Sequence, residues 1–447
     1  MHFPITVSSP IVHADVLPSA VDLVVVGGGV IGVMTALFAA RRGIRVLLLE
    51  KGRIAGEQSS RNWGWIRQQA RDPDELPIMV EANRLWRRLA DEVGEDIGLT
   101  GGGVTYLAGD DAAMERYAGW LPHAKANGVD SRLLSRSETR ALIPEADAAW
   151  IGALQTPSDL RAEPWRAVPA LARLARREGV LLREACAVRG LDVAAGRVAG
   201  VVTEHGRVAA SAVVVAGGAW SSLLLRRHGI VMPQLSVRAT VAAVQADAMA
   251  YRGAANVKGL AWRPRDDGGY SIAAGGFHEL FVGPDAFRAF RACLPQLIND
   301  PFGTRLLPWA PSGFPDAWGT PRRWADDAIT PFERCRMLDP APNRRKIREL
   351  IRTFATVFPT LGPVTVRSAW AGMIDLMPDL VPVVDRVAEL PGLTVACGMS
   401  GHGFGIGPGI GRIVADLVAG EQPGHDLTRF RIDRFSDGSP IRPGPVL

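Results

Sequence analysis

The sequence predicts an α/β fold, and three observations predict it. A β-branched apolar run, Val21-Asp22-Leu23-Val24-Val25-Val26, reads as a fully buried parallel strand. The glycine-rich segment Gly27-Gly28-Gly29-Val30-Ile31-Gly32 follows at once, and helix-forming residues continue to Arg42, with Gly43 as the stop signal. A second apolar run, Ile44-Arg45-Val46-Leu47-Leu48-Leu49, closes on Glu50 and completes a β–α–β unit.

Each part of that unit has a physical job. Gly27 permits the tight turn, Gly29 lets the backbone approach a pyrophosphate, and Gly32 lets the helix pack close to the strand. Val30 and Ile31 open the helix, whose N-terminus presents free N–H groups and a partial positive charge to phosphates. Glu50 lies about twenty residues on, where a carboxylate accepts hydrogen bonds from both ribose hydroxyls and repels a 2′-phosphate. The expected ligand is an unphosphorylated adenosine dinucleotide, FAD or NAD. Residues 23–40 carry no charge and mimic a membrane span, but the glycines explain them as strand, turn and helix, so no transmembrane segment is expected.

A chain of 447 residues is long enough for two domains. Its formal net charge is only +5, the positive charge is mostly arginine, and no block of like charges appears, which argues against a nucleic-acid partner. The four cysteines are dispersed, so neither structural zinc, nor any other metal, nor a disulfide framework is expected. The first twenty residues lack the pattern of a signal peptide. The expected location is the cytoplasm, with peripheral attachment to the inner membrane as the variant reading.

Other signals lie far from the glycine turn. Ser59-Ser60-Arg61-Asn62-Trp63-Gly64-Trp65-Ile66-Arg67 follows the second strand. Residues 208–215 read as a strand leading into Ala216-Gly217-Gly218-Ala219-Trp220. Near the C-terminus come Trp370-Ala371-Gly372, then Met377-Pro378-Asp379, then Ser400-Gly401-His402-Gly403-Phe404-Gly405-Ile406 running on to Gly411. This last stretch reads as a glycine-rich loop feeding an apolar helix over 413–419, closed by Gly420. A helix N-terminus there would stabilise negative charge on a reduced flavin.

Together these segments resemble the D-amino-acid oxidase superfamily of flavoproteins, which includes D-amino-acid dehydrogenases, glycine oxidase and sarcosine oxidases. The resemblance runs from about Val21 to Gly420. It implies an FAD-binding, Rossmann-like (glutathione-reductase-type) domain interleaved with a substrate domain built on a mixed or antiparallel sheet. Residues 20–100, 150–235 and 357–425 are expected in the first, 101–149 and 236–356 in the second, and 426–447 in a tail along the surface. Cofactor contacts are expected from the glycine turn, from Glu50 and Lys51, and from Ser59, Ser60, Arg61, Asn62 and Trp63. Val188, Ala216, Gly217, Trp220, Gly372 and residues 401–406 complete that set.

The implied activity is oxidation of the C–N bond of an amino acid or related small amine, with hydride passing to FAD and the imine hydrolysing in water. Arg67 matches the arginine that binds the substrate carboxylate in sarcosine-oxidase-like members. Trp63, Trp65 and Trp370 are candidate pocket walls, and His402 is expected to place backbone beside the flavin, with general-base work as its second reading. Tyr270 and His278 are expected to face the pocket, and Asp375 and Asp379 to be polar site groups or caps. Residues 370–376 contain no cysteine and residues 51–69 no histidine, so the resemblance implies non-covalent FAD. The resemblance implies that the oxidases place a lysine over the flavin, and its expected neighbourhood, residues 277–282, contains none, which favours a quinone or other acceptor over oxygen. Homo-oligomerisation is left open. Three alternatives stand: oxidation of an opine, a 2-hydroxy acid or glycerol phosphate on the same fold; an NAD-dependent dehydrogenase; or a flavin-carrying subunit or RNA-modifying partner, in which FAD is structural or serves a macromolecule.

Asp266-Asp267-Gly268-Gly269 before Tyr270 is a hairpin-turn signal. Residues 300–342, rich in Pro and Trp, read as an irregular excursion serving as a lid or a subunit contact.

Overall fold

Two large sheets organise the chain in the computed structural model, which describes residues 5–249, 251–299 and 303–444. The first sheet has eight strands. Its centre is parallel: Ala20–Val26 lies between Val46–Leu49 and Gly206–Val215, with Leu181–Arg183 and Leu393–Cys397 flanking them. The helix Val30–Ala40 makes the first crossover, and Gly43, at φ +77°, turns the chain after it. These central strands are near-continuous apolar runs because both faces are covered.

The second sheet has ten strands and is mixed. Its spine is Leu235–Gln245 paired antiparallel with Thr365–Leu376 from Leu235↔Leu376 to Gln245↔Thr365. The predicted hairpin joins Leu260–Pro264 to Tyr270–Ala273 through Gly268 and Gly269, both at positive φ. Gly152–Thr156 and Thr365–Leu376, which fall inside the ranges expected for the nucleotide-binding domain, pair in this second sheet. A two-stranded ribbon, Trp65–Ile66 with Leu160–Arg161, lies outside both sheets.

The C-terminal glycine stretch differs from its expectation. The helix spans Gly403–Ala419, so it starts ten residues before the predicted run and carries most of the glycines inside it. Glycine normally weakens a helix, but here it removes side chains from a crowded face. A Cβ on Gly411 would lie 2.3 Å from the Met34 Cβ, and one on Gly407 2.7 Å from a Val30 methyl. A Cβ on Gly409 would lie 2.8 Å from the Ile78 carbonyl of the helix Leu76–Val93. Gly420 ends the helix in the left-handed conformation, as predicted.

Residues 303–342 form a strap more than a free excursion, and 300–302 lie outside the described residues. Thr304–Leu307 adds a strand to the second sheet. Farther on, Arg189–Glu333 and Arg336–Glu204 ion pairs, both closing at 2.5–2.6 Å, bind the strap to the first sheet's hairpin. The tail is anchored by Phe430, fully buried, and by Arg434, which reaches back to Asp379 at 2.9 Å; residues 445–447 lie outside the described residues. No helix among the described residues is long and apolar enough to cross a membrane. All four cysteines are free thiols.

Candidate functional site

A cavity of about 720 Å³ runs between the two sheets. At one end lie Gly27, Gly29, Val30 and Ile31 at the first crossover. Gly27 adopts φ +115°, and a Cβ there would meet the Ala216 carbonyl oxygen at 2.4 Å. Gly32 lies beneath this turn and not on the cavity: its Cβ would be 1.9 Å from the Gly27 oxygen, so its role is close packing. No side chain caps the helix at Gly29, and the Ser59 hydroxyl accepts from the Val30 N–H at 2.9 Å. The turn lets a ligand approach the backbone closely, as a pyrophosphate requires, with the Ser59 hydroxyl at its edge.

Glu50 sits beside it and also lines the cavity. Its carboxylate accepts from the Gly28 and Gly52 N–H groups, each at 2.7 Å, while burial pushes its pKa up. Lys51 donates to Glu57 at 2.7 Å and to the Cys335 and Arg336 carbonyls, so the strap closes this corner. Ser59, Arg61, Asn62, Trp63, Val188, Ala216, Gly217, Trp220 and Gly372 also line the cavity. Ser60 does not: it faces inward from the short helix Gln58–Arg61 and is fully buried.

The other end is built by the second sheet and the glycine segment at its N-terminal edge. Gly401, His402, Gly403 and Phe404 line the cavity where the last long helix begins. Gly405 and Ile406 are one step too deep, the former accepting from the Trp86 indole at 2.9 Å and the latter fully buried in the core. Trp63 and Trp65 line the wall, edge to face with ring centres 5.2 Å apart, and Asn256 and His278 line it from the second sheet.

Two expected catalytic residues are elsewhere. Trp370 is 3 % exposed and is not among the cavity-lining residues; its indole donates to the Arg61 carbonyl at 2.9 Å, which makes it a joint between segments. Tyr270 points to the opposite face of its strand, into the core against Phe354 with ring centres 5.1 Å apart. Strand alternation decides this, and the sequence did not set its phase. Asp375 lines the cavity but is 1 % exposed and accepts from the Gly398 N–H at 2.7 Å, so it braces the glycine segment. Asp379 pairs with Arg434 and takes no part in the cavity.

Arg67 lines the cavity with its guanidinium 5.2 Å from the Tyr106 ring centre, donating to the Gln69 carbonyl at 2.5 Å. His402 contacts buried Glu75, Nδ1 to Oε2 at 3.0 Å. Burial, then Arg71, pushes the His402 pKa down to about 4. Burial acts to raise Glu75, but His402 and the arginines outweigh it and hold the carboxyl below its ordinary value. The pair is thus a neutral imidazole and a carboxylate at neutral pH: Nδ1–H donates to Glu75, and Nε2 keeps its lone pair. Arg71, Glu75, Tyr106 and Asn256 were not singled out from the sequence. The repeat of arginine four residues after Arg67 was the one available signal for Arg71.

The chain matches known proteins. The sequence profile of the FAD dependent oxidoreductase family matches residues 22–417. Mitochondrial sarcosine dehydrogenase from Homo sapiens is 26% identical over 430 residues, covering 94% of this chain and 42% of that protein. The chain therefore spans about two fifths of that relative's length. L-amino acid deaminase from Proteus myxofaciens, solved with anthranilate, superposes with a TM-score of 0.91 at 29% identity, covering 96% of this chain and 97% of that one. L-amino acid deaminase from Proteus vulgaris superposes with a TM-score of 0.89 at 26% identity, over 95% of this chain and 100% of that one. With a profile match across most of its length and a cavity framed by a dinucleotide cradle, the chain belongs to the FAD dependent oxidoreductase family.

Proposed function

We propose that this protein oxidises the C–N bond of an amino acid or a closely related carboxylate-bearing amine. One observation carries the reading: the cradle at Gly27–Gly29, the His402 segment and the Arg67 guanidinium all line one cavity. The residues fit FAD, because Gly27 leaves the turn bare where a Cβ would meet the Ala216 carbonyl, and the Glu50 carboxylate lines the same cavity. FAD, when bound, supplies the hydride acceptor. The similarity to L-amino acid deaminase supports an amino acid as the substrate class.

The chain's own residues supply orientation and shielding. Arg67 has no carboxylate within 4 Å among the described residues, so its guanidinium is available to a substrate carboxylate, which it can hold with two parallel hydrogen bonds. The amine reacts as its neutral free base, its lone pair free as hydride departs, and His402, with Nδ1 committed to Glu75, offers Nε2 as a hydrogen-bond acceptor that orients an amine N–H. Trp63 and Trp65 shield that end from water, and the imine product hydrolyses on release. A screen of D-, L- and N-methyl amino acids, prolines, opines and 2-hydroxy acids under anaerobic conditions tests this. Bleaching of the flavin band by an amine is expected, and bleaching by hydroxy acids alone refutes the reading.

For the acceptor we favour a quinone at a membrane surface over oxygen, with the protein resident in the cytoplasm. Lys51 is the lysine in the cavity lining, and it is tied to Glu57 and two carbonyls. Phe287, Phe290 and Leu306 line the cavity mouth yet are 55–66% exposed, which supports contact with an apolar phase there. Sedimentation with liposomes and slow reoxidation in air are the expected results. Rapid peroxide release reverses this part of the reading.

A further inference from the structure

Six arginines are buried among the described residues: Arg61, Arg71, Arg161, Arg263, Arg265 and Arg434. Five of them have a carboxylate within 4 Å: Asp339, Asp266, Glu163, Asp267 and Asp379 respectively. Arg71 is the exception. It is 3 % exposed and lines the cavity, its Nε donates to the Arg67 carbonyl at 2.9 Å, and its Nη1 is buried with no hydrogen-bond partner. A buried charge without a counter-ion is costly, so a fold that keeps one in its cavity implies an anion that arrives with the ligand.

The neighbouring acids act on Arg71 only at longer range, none of them within 4 Å of its guanidinium. Glu75 holds His402 at 3.0 Å. Asp159 accepts from the Gln68 and Gln69 N–H groups at 2.7 and 3.3 Å, and burial pushes its carboxyl up to about 7, so it carries only part of a charge at neutral pH. Burial, then Arg67, lowers Arg71 to about 9, the expected sign for a guanidinium with a like charge beside it and no partner. The two guanidinium groups also serve different neighbours. Arg67 lies against the Tyr106 ring, whereas Arg71 is held on the main chain of residue 67.

We propose that Arg71 is a second anion anchor, and that the substrate is an amino acid or N-substituted amine carrying a second carboxylate besides the one held by Arg67. This rests on the amine-oxidation reading for the position of the first carboxylate. Its test does not need turnover. Non-reactive acids are titrated into the FAD-loaded protein and followed by perturbation of the flavin spectrum, comparing glutarate with glutaramate and succinate with succinamate. Each pair keeps its shape and differs by one negative charge.

In the wild type the dicarboxylate of at least one pair should bind roughly tenfold tighter or more than its monoamide, the scale of a charge-assisted hydrogen bond in a closed site. Arg71→Gln should bring the two within about twofold, through a larger loss for the dicarboxylate than for the monoamide, and Arg71→Lys should restore part of the difference. Equal binding in the wild type, no perturbation by either dicarboxylate, or an equal loss for acid and amide in Arg71→Gln would each overturn the proposal. The wild-type comparison decides even where Arg71→Gln fails to retain FAD. Bleaching by monocarboxylate amino acids without any dicarboxylate preference would leave the oxidation reading standing and remove only this one. Failure of every amine to bleach the flavin, with the dicarboxylate preference intact, would do the reverse.

Discussion

Replacing Gly411 with alanine sets helix propensity against packing, and the two predict opposite signs. In an exposed helix the change gains about 1 kcal/mol, because alanine loses less backbone entropy. At Gly411 the new Cβ would sit 2.3 Å from the Met34 Cβ, 2.7 Å from the Met34 carbonyl carbon and 2.8 Å from the Thr35 nitrogen. Carbon atoms rest at about 3.5–4.0 Å, so the two helices must part by roughly 1 Å. Two of those three contacts are backbone, which no rotamer change relieves. Overpacking costs about 1–3 kcal/mol, and a backbone clash belongs at the upper end. The net expectation is a loss of about 1–2 kcal/mol. Because Met34 and Thr35 lie in the helix that opens at the dinucleotide cradle, FAD affinity should fall by roughly tenfold, the equivalent of about 1.4 kcal/mol. Denaturant unfolding followed by tryptophan fluorescence, with an FAD titration alongside, measures both. Gly119 is the control: it sits exposed in the helix Asp111–Ala126 with nothing within 4 Å of its Cβ direction, so Gly119→Ala should gain about 1 kcal/mol. If Gly411→Ala gains stability like the control, the glycines are not there for packing and the argument is wrong.

Other expectations follow from single contacts. Glu163 and Arg263 are both fully buried and joined by two bonds of 2.6 Å, so Glu163→Ala strands a guanidinium and should cost about 3–5 kcal/mol in unfolding free energy; a loss below 1 kcal/mol would contradict it. Asp159, raised to about 7, binds its proton more tightly in the folded than in the unfolded chain, so its contribution to stability is full at low pH and is lost as pH climbs from about 4 through 7. Asp159→Asn lacks that titration and should gain on the wild type between pH 4 and pH 8 in paired unfolding curves. Arg67→Ala should raise KM for a carboxylate amine by on the order of tenfold to a hundredfold, and an unchanged KM would remove Arg67 from the site. Acid precipitation should release all the flavin into the supernatant, since the expected attachment is non-covalent.

What was legible in the sequence was whatever a local pattern enforces. The buried runs around residues 21–26 and 44–49, with glycines between them, admit one arrangement, and the structure has it within a residue or two. The hairpin at Gly268 and Gly269 was equally readable, because both residues take the positive φ that the turn demands. The failures share a cause. Glycine signals a bare surface without saying what uses it, so Gly407, Gly409 and Gly411 read as a loop when they are a helix face. Tyr270 sits on a strand whose fully buried pattern gives no inside and outside to choose between. Arg71 and Glu75 acquire their meaning from partners far off in sequence, Glu75 from His402 more than three hundred residues on, and no window of sequence holds both.

Arg61 shows how such long-range partners bind the site together. Its Nε donates to the Gly56 carbonyl at 3.1 Å, Nη1 to Asp339 at 2.6 Å and to the Ala371 carbonyl at 3.0 Å, and Nη2 to the Ile5 carbonyl at 3.3 Å. Its own carbonyl accepts the Trp370 indole. One buried guanidinium therefore fastens the N-terminal segment, the loop after the second strand, the strap and the longest strand of the second sheet. Gly372 is small for the same reason, since a Cβ there would lie 3.3 Å from the Arg61 Cβ and push the strand off this joint. The two sheets can hold a ligand between them at fixed separation only if something other than the ligand sets that separation. Lysine in place of Arg61 would keep the charge but offers one nitrogen where three are used, so it should free the sheets to move relative to each other. The consequence expected is a weaker grip on FAD and on substrate together, a coupled loss that a change at Arg67, which the proposed reading assigns to the substrate carboxylate, should not produce.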